Sequence, residues 1–212
     1  MAEAPGKRVA VTGIGAITPL GLDIASTWES ALAGRSGIDY ITAFDASDQP
    51  ISIAAEVKGF DPTTVASAKE VRKLERNVLL ALAAGSEALA DSGLTDFDPT
   101  RIGIVFGSAV GGIGGIVDQW DIYRDRGADR VSPSFLPNIL VDSTSGQLAI
   151  NLGIRGPNFA VVSACATGSH AIGEAAEAIR RGDVDAVLAG GTEACIQDRK
   201  STRLNSSHTD IS

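Results

Sequence analysis

The sequence predicts an α/β protein built on a mostly parallel sheet with helices on both faces. Short apolar runs rich in β-branched residues alternate with longer segments of helical periodicity along most of the 212 residues. These runs are too continuously apolar for a sheet with one solvent-facing side, so both faces are expected to be covered. The composition, 44% apolar and 21% charged, fits one sizeable globular core, and no clean linker or short repeat divides it.

The first part of the chain predicts two strands and two helices. Arg8 to Ile14 (RVAVTGI) is a short β-rich run and predicts a buried strand that leads into a turn. Asp23 to Ala33 predicts a helix that Gly34 ends, and Ile51 to Val57 predicts a second strand. Lys69 to Asp91 predicts a long helix. Its apolar face carries Val71, Leu74, Val78, Leu82 and Leu89.

The rest of the chain continues this alternation. Arg101 to Gly107 (RIGIVFG) predicts another buried strand, followed by the glycine-rich SAVGGIGG and a helix that contains Trp120. Pro133 and Pro137 mark a loop, after which two short helical stretches lead to Gly153. A strand, a helix and a strand that runs into GGTEA complete the pattern: Phe159 to Ser163, Thr167 to Arg181 and Val184 to Ala189.

Charge and cysteine content argue against several classes of function. A net charge of -8 and a pI of about 4.7 leave no broad cationic surface for nucleic acid or for an anionic membrane. No apolar stretch reaches the ~18 residues of a membrane span and the N-terminus lacks a signal layout, so a cytoplasmic location is expected. Cys165 and Cys195 are too few for a disulfide framework and lack zinc-site spacing. We expect neither a metal nor a cofactor.

The C-terminal residues differ in composition from all that precede them. The dominance of glycine, alanine and valine ends near Gln197, and no periodicity replaces it. The segment DRKSTRLNSSH, which begins at Asp198, resembles the conceptual translation of a widely used sequencing-adapter oligonucleotide. We therefore interpret residues 1–197 as the folded segment and residues 198–212 as a non-native or disordered tail. A genuine disordered C-terminus is the alternative.

The segment FAVVSACATGSH raises a chemical question at Cys165. An apolar strand ends at the cysteine and a helix begins just after it, so backbone N–H groups and the helix dipole favour a thiolate there. The small neighbours leave room for an acyl group and for oxyanion donors. His170 is a poor base, since five helical residues place its ring about 140° around the helix from the sulfur. A buried packing cysteine is the alternative that these residues leave open.

The strings VVSACATGSHAIGEAAEAI and GDVDAVLAGGTEA closely resemble the nucleophile region of β-ketoacyl-acyl-carrier-protein synthases, condensing enzymes with a thiolase-like fold. The similarity runs from about Lys7 to Ile196, through VTGIGAITPLG, RIGIVFGSAVGGI and SPSFLPNILVDSTSGQLAINLGIRGPNF. Within this family the sequence is similar to the elongating type of fatty acid biosynthesis. The resemblance covers only the N-terminal half of the fold. The resemblance implies that Cys165 is the nucleophile.

The same resemblance implies a two-step acyl transfer and condensation. An acyl chain moves from a carrier-protein thioester to Cys165, whose backbone N–H is one oxyanion donor. A malonyl-carrier-protein thioester then loses CO2, and its carbanion attacks the acyl-enzyme. The family carries two histidines and a lysine for this second step in its other half. This chain is therefore expected to be inactive by itself, with one face of the cysteine helix bare.

Six further positions match functional places of the family. The resemblance implies that Val110 gates the acyl pocket and that Phe135 and Leu136 enter the pocket wall of a partner subunit in a homodimer. Ordinary core packing is the alternative for these three residues. The resemblance also implies that three basic residues dock the acidic acyl carrier protein: Arg72, Lys73 and Arg130. The alternative is that these charges belong to an ordinary solvated surface.

The residues leave three alternative functions open. One is a polyketide-type ketosynthase, or a thiolase relative that uses the same cysteine on coenzyme A thioesters. Another is a dinucleotide-binding oxidoreductase, suggested by VTGIGAIT, but Thr18 replaces the third glycine of that fingerprint and Pro19 follows where a helix is required. The third is a non-catalytic half-domain that dimerises or binds carrier protein without turnover. The sequence does not specify the acyl chain length.

Overall fold

The computed structural model describes residues 7–196, in which helices and short strands alternate. The α-helices are α1 (Ile24–Leu32), α2 (Ala68–Val71), α3 (Arg76–Asp91), α4 (Ile113–Arg126), α5 (Phe135–Ile139), α6 (Ser143–Leu152) and α7 (Thr167–Arg181). The strands are β1 (Ile38–Tyr40), β2 (Ile53–Ala55), β3 (Ile102–Gly107), β4 (Asn158–Phe159) and β5 (Ala186–Gly191).

A three-stranded parallel sheet with the order β4-β3-β5 forms the centre of the fold. Strand β3 pairs with β5 along its whole length, from Ile102 opposite Ala186 to Gly107 opposite Gly191. Its ladder with β4 on the other side is short. Strands β1 and β2 form a separate antiparallel pair. The predicted α/β architecture with a parallel sheet is therefore confirmed.

The hydrophobic core lies between one face of this sheet and helices α3 and α6. Ile102, Ile104 and Phe106 occupy alternate positions of β3, and they are buried together with Leu82 of α3 and Leu148 of α6. Because alternate side chains of a strand point to opposite faces, these three residues define the face that α3 and α6 cover. The middle strand is the most deeply buried element, since all six of its residues are buried.

Helix α7 covers the opposite face of the sheet, so helices on both faces are confirmed. Its buried positions include Ala171, Ala175 and Ala178, whose small side chains allow a close approach to β3 and β5. Ile172, on the same helix, is 57% exposed.

Capping residues explain where several helices begin and end. The Asp23 carboxylate accepts a hydrogen bond of 2.6 Å from the Ser26 backbone N–H and caps α1. Gly153 and Gly182 end α6 and α7 with positive φ angles of 69° and 80°, a conformation that glycine adopts without a Cβ clash. These boundaries agree with the helix ends that the sequence predicted.

The predicted strand at residues 8–14 is wrong. Within residues 7–196 this segment pairs with no strand, and most of it is exposed. The chain lies against α3 instead, where the Ile14 and Ala16 backbone N–H groups donate to the Asp91 and Glu87 carboxylates at 2.9 and 2.8 Å. A β-rich run forms a strand only when a ladder partner pairs with it, and here the N–H group of Ile14, the last residue of the run, bonds to a carboxylate of α3.

The predicted helix over residues 69–91 divides into α2 and α3. The connecting residues 72–75 leave the helical path, and the Lys73 carbonyl accepts a hydrogen bond of 2.6 Å from the Asn138 side-chain amide. A contact 65 residues away thus competes with the local helical preference. Periodicity alone predicts a continuous helix because the residues that interrupt it are distant in sequence.

The other predicted strands exist but differ in extent. The strand predicted at 51–57 contains only the three residues of β2, and the one at 184–189 lies two residues later as β5. The strand predicted at 159–163 keeps only its first residue in β4, because the chain then leaves the ladder for the cysteine segment. Pro137, predicted to mark a loop, lies inside α5.

Two further observations concern the limits of the fold. Among residues 7–196, every helix is too short or too polar to cross a membrane. The predicted tail, residues 198–212, lies outside the described residues, as does its proposed boundary at Gln197.

Candidate active site

The carboxyl ends of the parallel strands meet at one edge of the sheet. Loops that leave this edge form the ligand site in most open parallel sheets. Thr192, directly after β5, donates its backbone N–H to the Gly107 carbonyl at the end of β3, over 3.0 Å. Val110 follows β3 and Cys165 follows β4, so both of these predicted site residues lie in segments that leave the same edge.

Cys165 lies in a single 3-10 turn, residues 164–166, that runs directly into α7. The Ser163 N–H donates to the Thr167 hydroxyl oxygen, and the Ala166 N–H donates to the Ser163 carbonyl, each over 3.0 Å. These bonds fix the turn in front of the helix. The Cys165 side chain is exposed, unlike that of a packing cysteine. The sulfur therefore lies where the sequence predicted, and its chemical role stays a prediction.

The backbone immediately before the cysteine is strained. Ala164 has a φ of 50°, and it is the one non-glycine residue among 7–196 with a positive φ. That conformation costs a residue with a Cβ about 1–2 kcal/mol. Such residues cluster at functional sites, where the surrounding contacts hold them in place. The strain at Ala164 therefore adds a structural reason to consider Cys165 a functional residue.

Glycines bring the ends of β3 and β5 close to the cysteine segment. A Cβ atom at Gly107 would overlap the Val161 carbonyl oxygen and lie 2.8 Å from the Thr167 methyl group. A Cβ atom at Gly191 would lie 3.1 Å from the Gly168 backbone in the first turn of α7. The ends of β3 and β5 therefore pack directly against the chain on both sides of Cys165.

The other cysteine has a different environment. Partial burial, reinforced by the Glu193 carboxylate beside it, raises the pKa of Cys195 to about 12. Cys195 therefore keeps its proton at neutral pH and is a poor nucleophile. His170 lies on an exposed part of α7, and its exclusion as the base for Cys165 stays a prediction. Of the two thiols, only Cys165 has both the exposure and the helix position of a nucleophile.

The Val110 loop, residues 108–112, is held by Glu193, which the sequence analysis did not single out. The Glu193 carboxylate accepts hydrogen bonds from the Ser108 hydroxyl at 2.9 Å and from the Ala109 N–H at 2.8 Å. Ser108 is buried, whereas the Val110 side chain is 42% exposed. The acidic residue of GGTEA, placed just after a buried strand, was the signal that could have indicated this role.

Helix α5 carries two of the other predicted pocket residues. Phe135 is half-buried and Leu136 is 63% exposed. The Ile139 carbonyl, at the end of this helix, accepts a hydrogen bond of 3.1 Å from the Gly112 N–H. The structure therefore joins α5 to the Val110 loop and leaves the Leu136 side chain exposed.

A cavity of about 280 Å³ lies beside α4 and α5. Arg72, Lys73 and Phe135 line it together with Glu75. The structure thus brings two of the three predicted docking cations next to a predicted pocket residue. Arg130, the third cation, is exposed but does not line this cavity.

Glu75 lies in the wall of this cavity. Burial raises the pKa of its carboxyl group, and the nearby Asp118 acts in the same direction, although a hydrogen bond of 3.3 Å from the Gly115 N–H opposes the change. Gly115 belongs to the first turn of α4, where the helix dipole favours a negative charge. Glu75 thus connects the segment of Arg72 and Lys73 to α4.

The described residues give no support to a metal site. Within 7–196, His, Cys, Asp and Glu side chains nowhere form a group of three or more that could hold a metal ion.

Fold and site together define a class, the α/β proteins that present an exposed cysteine in front of a helix at the carboxyl edge of a parallel sheet. The sequence profile of the β-ketoacyl synthase N-terminal domain matches residues 6–210. The chain belongs to the β-ketoacyl synthase family.

Curated relatives agree with this assignment. Proteins named 3-oxoacyl-[acyl-carrier-protein] synthase 2 are 44% identical over 90% of this chain in Staphylococcus aureus strain N315 and 41% identical over 88% in Coxiella burnetii. The Synechocystis protein of the same name is 42% identical over 92% of the chain. The chain spans about half the length of these relatives, 46% to 48%.

Solved structures show the same thiolase-like fold. The ishigamide ketosynthase/chain length factor has a TM-score of 0.84 and 27% identity, covering 98% of this chain and 52% of its own. A β-ketoacyl synthase from Burkholderia phymatum has a TM-score of 0.70 and 29% identity, covering 84% and 45%. A type II polyketide ketosynthase, solved in complex with its acyl carrier protein, has a TM-score of 0.79 and 26% identity, covering 95% and 55%.

Proposed function

We propose that the whole protein is a 3-oxoacyl-acyl-carrier-protein synthase of fatty acid biosynthesis, with Cys165 as its nucleophile. The observation that carries this proposal is the exposed Cys165 in front of α7, in a chain of the β-ketoacyl synthase family. A thiolate in this position gains stabilisation from the helix dipole and from converging N–H groups. The relatives at 41% to 44% identity carry the same named activity.

The first chemical step is transfer of the acyl group. The Cys165 thiolate attacks the carbonyl carbon of an acyl-carrier-protein thioester, a C–S bond forms, and the oxyanion is stabilised by backbone N–H donors. The carbonyl re-forms, and the carrier thiol leaves with the electron pair of the broken C–S bond. The small residues around Cys165 leave space for the tetrahedral intermediate.

The second step is condensation. A malonyl thioester loses CO2, the resulting carbanion attacks the carbonyl of acyl-Cys165, and the Cys165 thiolate leaves to regenerate the enzyme. The two histidines and the lysine that the resemblance assigns to this step belong to the other half of the family fold. The contribution of this chain is the acyl-enzyme and its pocket, and turnover belongs to the whole protein.

The remaining predicted residues shape the substrate path. Val110 gates the acyl pocket from its loop at the sheet edge, and Phe135 and Leu136 enter the pocket wall of a partner subunit in a homodimer. Leu136 is 63% exposed, so its side chain has apolar surface that a partner subunit would bury. Both cysteines are free thiols, which agrees with a reducing, cytoplasmic location.

The partner is an acyl carrier protein, docked on a basic group. Arg72, Lys73 and Arg130 are basic residues on a chain of net charge -8, so an acidic partner is attracted to them locally and repelled elsewhere. Arg72 and Lys73 line one cavity with Phe135, which supports a docking site beside the proposed pocket. The polyketide ketosynthase among the structural relatives was solved with its own acyl carrier protein.

The test uses an enzyme in which residues 1–196 are joined to the second half of the Staphylococcus aureus relative, hereafter the completed enzyme. We expect β-ketoacyl product from acyl- and malonyl-carrier protein, and none from Cys165→Ala.

The double change Arg72→Glu and Lys73→Glu should raise KM for carrier protein about ten-fold, equivalent to ~1.4 kcal/mol, with kcat largely retained. Arg35→Glu, a charge reversal on another exposed loop, is the matched control. Unchanged KM in the double variant would contradict the docking site.

A polyketide-type ketosynthase is the second candidate. One of the structural relatives is a type II polyketide ketosynthase, and another is the ishigamide ketosynthase/chain length factor. Their identity to this chain, 26% and 27%, is lower than that of the fatty acid relatives. The completed enzyme separates the two functions. One round of extension on saturated acyl chains supports the first, and repeated extension of unreduced ketoacyl chains supports the second.

A further inference from the structure

Glu193 bonds to the start of a loop that precedes it by more than 80 residues. Its carboxylate accepts one hydrogen bond from the buried Ser108 hydroxyl and another from the Ala109 N–H, at 2.9 and 2.8 Å. The Ser108 oxygen in turn accepts the Gly111 N–H at 2.9 Å. One carboxylate thereby orders the backbone immediately before and after Val110.

Glu193 is itself fixed to the rigid part of the fold. The preceding residue, Thr192, donates its N–H to Gly107 at 3.0 Å and its hydroxyl to the carbonyl of the buried Asn77 at 2.8 Å. Gly191, one residue earlier, packs against the first turn of α7, three residues after Cys165. Glu193 therefore relates the position of the Val110 loop to that of the cysteine helix.

The loop needs such an anchor because its own backbone is permissive. Gly111 has a φ of 63°, and Gly112 follows it without a Cβ. The Val110 side chain between these glycines and Ala109 is 42% exposed, so packing alone does not hold it. The two hydrogen bonds from Ser108 and Ala109 to the Glu193 carboxylate are then the main restraint on the start of the loop.

We infer that Glu193 is a positioning residue that holds the Val110 loop at a fixed distance from Cys165 and thereby sets the acyl chain-length preference. This inference rests on the proposed condensing activity and on the proposed role of Val110 as the gate of the acyl pocket. Glu193 contacts no substrate, and it restrains the loop through Ser108 and Ala109. Loosening the loop should therefore alter the depth of the acyl pocket more than the reactivity of the sulfur.

The test compares Glu193→Gln with the parent in the completed enzyme. Glutamine keeps one acceptor oxygen for the Ala109 N–H, but its NH2 group then faces the Ser108 hydroxyl, which also accepts the Gly111 N–H. The bond that this hydroxyl donates to the Glu193 carboxylate is lost. We measure kcat/KM for acyl-carrier proteins from butanoyl to tetradecanoyl. The ratio between long and short chains should change by about five-fold, the effect of ~1 kcal/mol acting on one substrate class.

Three controls separate positioning from a general structural effect. Ser108→Ala should shift the ratio in the same direction, and the double variant should shift it by less than the product of both changes. Glu29→Gln removes one exposed carboxylate from α1 and should leave the ratio unchanged. The rate of Cys165 alkylation should stay near that of the parent in every variant.

The outcomes are distinguishable. If Glu193→Gln lowers kcat/KM by one common factor for all chain lengths, or leaves it unchanged, the inference is overturned. If that variant fails to fold, Ser108→Ala decides between the same two results. If the unsubstituted completed enzyme forms no β-ketoacyl product from any acyl chain, the proposed function fails and the inference fails with it.

Discussion

At the scale of single residues, the backbone around Cys165 is organised before any substrate arrives. The positive φ of Ala164, the bond from Ser163 to Thr167 and the start of α7 hold the sulfur in front of the helix. Cys195 is the internal contrast, because burial and Glu193 raise its pKa to about 12 and keep it a neutral thiol. The two cysteines of the chain thus lie in different environments, one exposed in front of a helix and the other partly buried beside a carboxylate.

Glu75 gives a pH-dependent prediction. Its pKa is raised by burial, so the ionised carboxylate favours the unfolded chain relative to the folded one. Below the ordinary pKa of 4.5, Glu75 is protonated in both states and does not lower the free energy of unfolding. As the pH rises through the higher pKa of the folded state, the buried carboxyl group ionises and the free energy of unfolding falls. Glu75→Gln is neutral at every pH. In the completed enzyme it should raise the thermal midpoint at pH 7.5, and the gain should shrink toward pH 4.5.

The measurement is thermal unfolding of parent and Glu75→Gln across that pH range. Taking the difference between the two proteins cancels the titration of the other carboxylates. Glu29→Gln again controls for the removal of one exposed negative charge. A parent protein that is as stable as the variant at pH 7.5 would contradict the raised pKa of Glu75.

Sequence reasoning reached Cys165 because the cysteine segment is local, with strand, small residues and helix in one continuous string. It did not reach Glu193 or Glu75, because each acts on a partner far away in the chain. Glu193 meets Ser108 across 85 residues and Glu75 meets Gly115 across 40. These hydrogen bonds form only because β3 packs against β5 and the 72–75 segment packs against α4.

At the scale of secondary-structure elements, the close contact of β3 with the cysteine segment positions the site. Gly107 ends β3, and the Val161 carbonyl and Thr167 methyl group lie against its Cα. The end of β3 and the first turn of α7 are therefore in contact at Gly107. A side chain at this position would have to displace the strand or the cysteine segment.

Gly107→Ala should damage both stability and acyl transfer. Overpacking of this kind costs about 1–3 kcal/mol, and the displaced segment is the one that carries Cys165. Gly146→Ala on α6 is the matched control, because a Cβ there meets no atom within 4 Å, and alanine in a helix stabilises by about 1 kcal/mol. Urea unfolding and the rate of Cys165 acylation check both changes in the completed enzyme. Wild-type acylation in Gly107→Ala would contradict the packing argument.

Helices and strands were not equally predictable from the sequence. The helices with capping residues and clear periodicity, such as α1 and α7, were predicted nearly to the residue. The strand predicted at residues 8–14 was wrong, since a strand depends on a partner that a local pattern does not contain. The break at residues 72–75 was missed for the same reason, because Asn138 competes for that backbone from another element.

At the scale of the whole molecule, large apolar side chains flank the site without being covered. Phe159 and Val162 before the cysteine are 41% and 51% exposed, and Ile172 on α7 is 57% exposed. Apolar surface of this kind around a site is typical of an interface. The chain spans about half the length of its curated relatives, which supports the proposal that the second half of the family fold covers this face.

The central claim is that Cys165 takes the acyl group, and trapping the acyl-enzyme tests it most directly. The completed enzyme is incubated with acyl-carrier protein but without malonyl-carrier protein, then digested and analysed by mass spectrometry. We predict one acyl thioester, on the peptide that contains Cys165, absent in Cys165→Ala and retained in Cys195→Ala. An acyl group on any other residue, or β-ketoacyl product formed at the parent rate by Cys165→Ala, would contradict the account.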